Sequence, residues 1–117
     1  MNFNFSVRME GDKVFVAPQG RIDQATAASF QAALAPHLTA CSGDTQTLVL
    51  DFAGVSYISS VGLRVLMLAS RQVAAQKGSL LIAAPTPLVR EVFEISRFNL
   101  VFPIFDSVAA ALAPETY

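Results

Sequence analysis

Two short runs, TLVLDF at 47–52 and SLLIAA at 79–84, constrain this chain more than any other feature. Each is apolar at nearly every position and lacks the apolar/polar alternation of a strand with one wet face. Both therefore read as central strands covered on two faces. Strands of that kind sit in sheets with parallel neighbours, whose crossovers are long enough to hold a helix.

The rest of the chain supplies those crossovers. FNFSVRM (3–9) and KVFVAPQG (13–20) read as strands joined by the short turn EGD, an opening hairpin. Asp23 or Thr26 is placed to cap the Ala-rich segment TAASFQAALA, which Pro36 should end or kink. CSGDTQ (41–46) is a polar loop. Beyond AGVSYI, a long helix is predicted from Ser60 to Gln76, with Lys77–Gly78 as its exit signal. PTPLVREVFEIS gives a third helix with Pro87 in its first turn, where a missing N–H costs little. LVFPIF makes a short last strand, and DSVAAALA (106–113) a closing helix capped by Asp106 or Ser107. The order β-β-α-β-α-β-α-β-α predicts an α/β fold, a mixed sheet covered by helices. With 117 residues and no repeat or linker, residues 1–117 are expected to form one domain.

Composition narrows the function classes. Hydrophobic residues make up 53% and charged residues 15%, enough to fill a core and too apolar for a disordered chain. No apolar run reaches the roughly 18 residues of a membrane span. The start, MNFNFSVRME, has no basic region, apolar region or cleavage site and is not a signal peptide, so the cytoplasm is the expected location. A net charge of −1 with no basic run argues against nucleic acid as a partner. Cys41 is the one cysteine and His37 the one histidine, and no set of residues has metal-ligand spacing. No phosphate loop is present, and no metal is expected. GVSYI at 54–58 begins like a Gly-x-Ser-x-Gly elbow, but Ile58 fills the second glycine's place. A lone histidine after Pro36 reads as a surface residue, and an enzyme is not expected.

What remains is the serine pair in ISSVGLR. On a wheel of roughly 100° per residue, Gly62, Val65, Leu66, Ala69 and Val73 share one face, which Val61 and Leu68 extend. Ser60, Arg64, Met67 and Arg71 fall opposite, flanked by Leu63 and Ala74. Two arginines mixed with Leu63 and Met67 are the composition of an interface patch, or of a helix buried on most sides. Either Ser59 or Ser60 can cap the helix. Ser60 heads the stripe, where a phosphate would meet a helix N-terminus and have Arg64 one turn on.

The chain resembles the STAS family of bacterial anti-sigma factor antagonists. The family's strand ending in Asp, x-G-V-x-x-[IM] segment and Asp-Ser-Ser/Thr-Gly-Leu-Gly helix entry appear here as LVLDFAGVSYISSVGLRVL. GRIDQATA is similar to its Gly-x-[Leu/Ile]-Asp-x-x-[Thr/Ser] element, matching Gly20, Asp23 and Thr26. IAAPTPLVREVFEISRFNLVFPIFDS resembles its closing segment. Aligned on Gly62-Leu63, the family's phosphorylated serine falls on Ser60, its preceding Asp becomes Ser59, and its following Gly becomes Arg64.

The resemblance implies a STAS fold and a partner-switching role. Unphosphorylated, the protein would bind an anti-sigma factor with serine-kinase activity; the nucleotide then belongs to that kinase, and no cofactor is implied for this chain. Phosphorylation of Ser60, with Ser59 as a competing target, would release it, and a PP2C-type serine phosphatase would reset it. Asp23 and Thr26 carry over as partner contacts, with helix capping as their other role. Ser59, Leu63, Arg64, Met67 and Arg71 complete the expected docking surface. A STAS subunit of an ABC-type lipid-transport complex, a nucleotide-binding module and a serine hydrolase are the alternatives.

Overall fold

The computed structural model describes residues 4–42 and 47–112. The start of the predicted first strand at Phe3, loop residues 43–46 and the predicted helix end at Ala113 lie outside that range. The hairpin forms from β1 (Phe5–Glu10) and β2 (Lys13–Pro18), in register from Phe5 opposite Pro18 to Glu10 opposite Lys13. Gly11, at φ 62°, supplies the left-handed residue of its turn.

The two apolar runs become β4 (Thr47–Asp51) and β6 (Ser79–Ala83), and β7 is Ile104–Phe105. The sheet order is β1-β2-β4-β6-β7, with β1 antiparallel and the other pairings parallel. Strand alternation then assigns the two faces. Val14, Val16, Leu48, Leu50, Leu80 and Ile82 point into the main core. There they meet α1 (Ala27–Ala40), α2 (Ser60–Ala75) and α3 (Pro87–Ile95), through residues such as Phe30, Leu34, Leu66, Ala69 and Phe93. Phe15, Val49, Ala83 and the partly buried Leu81 and Phe105 face the other way, against Val108 and Ala111 of α4 (Val108–Leu112). Helices on both faces are why β4 shows no alternation.

Local chemistry explains most boundaries. Thr86 caps α3 by accepting from the Val89 N–H, and its hydroxyl donates to the Val55 carbonyl at 3.1 Å. Ser107, not Asp106, caps α4, accepting from the Ala110 N–H at 3.0 Å, while Asp106 pairs with Arg90. Pro36 does not end α1, which continues to Ala40. Its missing N–H removes one bond near the helix end, and Gln76 Nε2 secures that end by donating to the Leu38 and Cys41 carbonyls, both at 2.7 Å.

Three expectations need correction or refinement. The stretch 100–105 is not one strand: a single 3-10 turn at Phe98–Leu100 runs into a bend, and Pro103 leaves only Ile104–Phe105 to pair. The exit of α2 falls at Lys77–Gly78 as expected, but its left-handed residue is Lys77, at φ 61°, and not the glycine. Lys77 N–H donates to Ala74 and Gly78 N–H to Val73, a Schellman closure, while Gly78 is required because a Cβ there would lie 2.5 Å from the Cys41 carbonyl oxygen. Lastly, GRI and VSYI form a second sheet: β3 (Gly20–Ile22) pairs in parallel with β5 (Val55–Ile58).

Candidate functional site

The β3–β5 ribbon builds the site. Its strands run side by side, Arg21 opposite Tyr57 and Ile22 opposite Ile58, so the segments leaving them emerge together. One is the turn Asp23–Thr26 that enters α1. The other is Ser59–Ser60, which enters α2. The Ser59 N–H donates to the Ile22 carbonyl at 2.8 Å and ties the two exits. Gly62 lets the first turn of α2 sit down on them: a Cβ at that position would lie 2.7 Å from Ile58 Cγ1 and 2.8 Å from Ile22 Cγ2.

The two serines have different roles. Ser59 is half-buried and extended, at φ −93° and ψ 175°, and its Oγ accepts from the Gly62 N–H at 3.4 Å. It is the N-cap. Ser60 is the first residue of α2 and is exposed. The first N–H groups of a helix have no intrahelical acceptor, so the positive end of α2 opens beside the Ser60 hydroxyl.

In the neighbouring turn, Asp23 and Thr26 lock each other rather than cap α1 directly. Thr26 Oγ1 donates to the Arg21 carbonyl at 2.8 Å and accepts from the Asp23 N–H at 3.0 Å. Asp23 Oδ1 accepts from the Ala25 N–H at 3.0 Å, and Arg21 Nε meets Oδ2 at 3.3 Å. Partial loss of water pulls the Asp23 pKa up. The hydrogen bonds from Ala25, Arg21 and Thr26 outweigh that effect and leave it below the ordinary 3.8. The Arg21 guanidinium also lies over the Tyr57 ring, 4.6 Å from its centroid.

The exposed face of α2 is rotated from the expected stripe. Arg64 and Arg71 are exposed, as the wheel indicates. Leu63 is buried in the main core and Met67 is half-buried against it, so neither lies on an open stripe. Val61 and Leu68, assigned by the wheel to the core, are 41% and 43% exposed. At about 100° per residue the buried set spans about 160°, from Val65 round to Leu63. That arc is wide because α1 packs against one flank of α2 while the sheet supports its base. Arg21, Val61, Leu68 and the half-buried Tyr57 are the residues beside the site that sequence reasoning missed. Pairing GRI with VSYI would have located Arg21 and Tyr57.

The alternative serine chemistry does not fit this geometry. Gln76, beyond the far end of α2, touches the carbonyl of Leu38, next to His37. Ser60 lies about 24 Å away along the helix at 1.5 Å per residue, so His37 cannot act as its base. Among the described residues, no three of His, Cys, Asp and Glu gather to hold a metal ion. No described helix is long and apolar enough to cross a membrane.

Comparison with known proteins gives the family of this fold. The STAS domain model matches residues 4–111. BtrV of Bordetella bronchiseptica, assigned as an anti-sigma factor antagonist, is 41% identical over 95 residues, covering 81% of this chain and 79% of that protein. An anti-sigma factor antagonist from Mycobacterium paratuberculosis superposes with a TM-score of 0.83 at 22% identity, over 95% of this chain and 92% of the other. The Bacillus cell-fate determinant SpoIIAA superposes in its unphosphorylated form with a TM-score of 0.69 (22% identity, 86% and 87% covered). Its phosphorylated form gives 0.63 (19% identity, 86% and 90% covered). These structures share the fold, and BtrV is similar in sequence. The chain belongs to the STAS domain family.

Proposed function

We propose that this protein is an anti-sigma factor antagonist that works by partner switching, with Ser60 as the switch. Unphosphorylated, it binds an anti-sigma factor that carries serine-kinase activity and displaces what that factor holds. Transfer of a phosphoryl group to the Ser60 hydroxyl releases it, and a PP2C-type phosphatase restores the serine. The observation that carries the reading is the division of labour in the pair: Ser59 is occupied in capping α2, while Ser60 is the exposed first residue of the helix. The names of the relatives support it, since BtrV is assigned as an antagonist and SpoIIAA occurs in phosphorylated and unphosphorylated forms. Asp23 and Thr26, presented beside Ser60 by the β3–β5 ribbon, are the second set of partner contacts.

A phosphate at Ser60 adds about −1.5 to −2 charges at a helix end that favours anions, so the fold tolerates it. Its cost falls on the complex. Incubation with ATP and the kinase-domain anti-sigma factors of the source genome should add one phosphate, seen by mass spectrometry, that persists in Ser59→Ala and disappears in Ser60→Ala. Phosphate on Ser59 alone, or on neither serine with every such kinase, would sink the switch.

A further inference from the structure

The exposed face of α2 carries two parallel rows. Arg64 and Arg71 form one, and Val61 and Leu68, 41% and 43% exposed, form the other. Each row has i, i+7 spacing, about 10 Å along the helix. On the wheel the rows adjoin, so a surface that covers Val61 and Leu68 also covers the two guanidinium groups.

The arginines are uncompensated. Arg8, Lys13, Arg21 and Arg90 each have a carboxylate within ion-pair distance. Among the described residues, Arg64, Arg71, Lys77 and Arg97 have none, and of these Arg64 and Arg71 share one helix face. α2 itself contains no acidic residue, and Arg64 lies near its N-terminal end, where the helix dipole disfavours a cation. Folding therefore does not explain these charges. Covering them with a neutral or basic surface would desolvate two cations without repayment.

From these rows we infer that α2 docks an acidic protein surface: an apolar strip that covers Val61 and Leu68, bordered by carboxylates that meet Arg64 and Arg71. This rests on the partner-switching reading and specifies the partner's chemistry. It also gives phosphorylation a second effect. A dianion at Ser60 sits one turn from Arg64 at the head of the basic row, draws that cation to itself, and repels the incoming carboxylates. Release then comes from lost complementarity as well as from the cost of burying the phosphate.

The test is titration calorimetry of the full chain with the kinase-domain anti-sigma factor that phosphorylates it, at about 50 mM and about 500 mM salt. Screening over this range shortens the reach of exposed charges. Affinity of the wild type should fall with salt. Arg64→Glu/Arg71→Glu should lose at least about tenfold at low salt, and Arg64→Gln/Arg71→Gln should lose most of the salt dependence. Both doubles should melt at or above the wild-type temperature, because neither arginine has a structural partner to lose. Carboxylate-to-lysine changes on the anti-sigma factor should restore binding to the Glu double.

Equal affinity of the wild type and the Glu double, with binding still lost in Ser60→Asp, overturns the acidic-surface inference and leaves the switch standing. Failure of every such anti-sigma factor to bind the wild type overturns both. Co-sedimentation with vesicles containing phosphatidylserine that is abolished in the Glu double, without an effect on the protein complex, assigns the basic row to a membrane surface instead.

Discussion

The backbone N–H of Ser59 donates to the carbonyl of Ile22 at 2.8 Å, so the chain leaving β5 is fastened to the chain leaving β3. These residues are far apart in sequence, and the bond places the Ser59–Ser60 entry to α2 beside the Asp23–Thr26 entry to α1. The site is therefore two helix entries on one ribbon, and its integrity depends on how closely α2 approaches.

Gly62 sets that approach. In Gly62→Ala the new methyl would meet Ile58, Ile22 Cγ2 and the Ile22 carbonyl oxygen, at 2.7, 2.8 and 3.1 Å. Overpacking of this kind costs about 1–3 kcal/mol, offset by at most about 1 kcal/mol of helix propensity. Urea denaturation should show a net loss of about 1–2 kcal/mol, and phosphorylation of Ser60 should slow because α2 is lifted from the ribbon. Unchanged stability would mean that the helix entry is looser than this packing indicates.

The serines should separate stability from function. Ser59→Ala removes a long capping bond and should cost about 0.5–1 kcal/mol while phosphate incorporation continues. Ser60→Ala should stay within about 0.5 kcal/mol of wild type and lose the phosphate. Ser59→Asp keeps a cap, adds a favourable charge at the helix N-terminus, and should be at least as stable as wild type. Thermal melts and mass spectrometry on the three variants check this together.

Asp23 predicts a pH dependence of definite sign. Its folded pKa lies below the ordinary 3.8, so the unfolded chain binds more protons between the two values. The stability contributed by the Asp23 carboxylate is thus fully present above 3.8 and is lost as pH falls through the folded pKa. The difference in melting temperature between wild type and Asp23→Ala should be constant near neutrality and shrink on acidification below 3.8. A difference that grows on acidification would reverse the assignment of the turn's hydrogen bonds.

The exit of α2 gives a paired test. Lys77 occupies the left-handed region at φ 61°, where a side chain costs roughly 1–2 kcal/mol, part of which glycine returns as unfolded-state entropy. Lys77→Gly should stabilise by about 0.5–1 kcal/mol. Gly78→Ala should destabilise, since its Cβ would lie 2.5 Å from the Cys41 carbonyl oxygen. Glycine is thus favoured at both adjacent positions for different reasons, backbone conformation at 77 and close approach at 78, measurable by denaturant midpoint.

The sequence by itself determined the layered α/β plan. The unbroken apolar runs at 47–52 and 79–84 required two-sided cover, and the cap of α4 was narrowed to Asp106 or Ser107 because capping chemistry is local. The serine pair at the mouth of α2 was also legible, from the motif that Gly62-Leu63 fixes in register. Three things were decided only in three dimensions. β3 and β5 are three and four residues long, too short to show a period, and exist because they pair with each other across the chain. The choice of Ser59 as cap followed from its bond to Ile22, which fixes it in the extended conformation that a cap requires. The open face of α2 depended on what packs beside it: a wheel orders residues around a helix, but α1 and the sheet buried Leu63 and left Val61 and Leu68 in water.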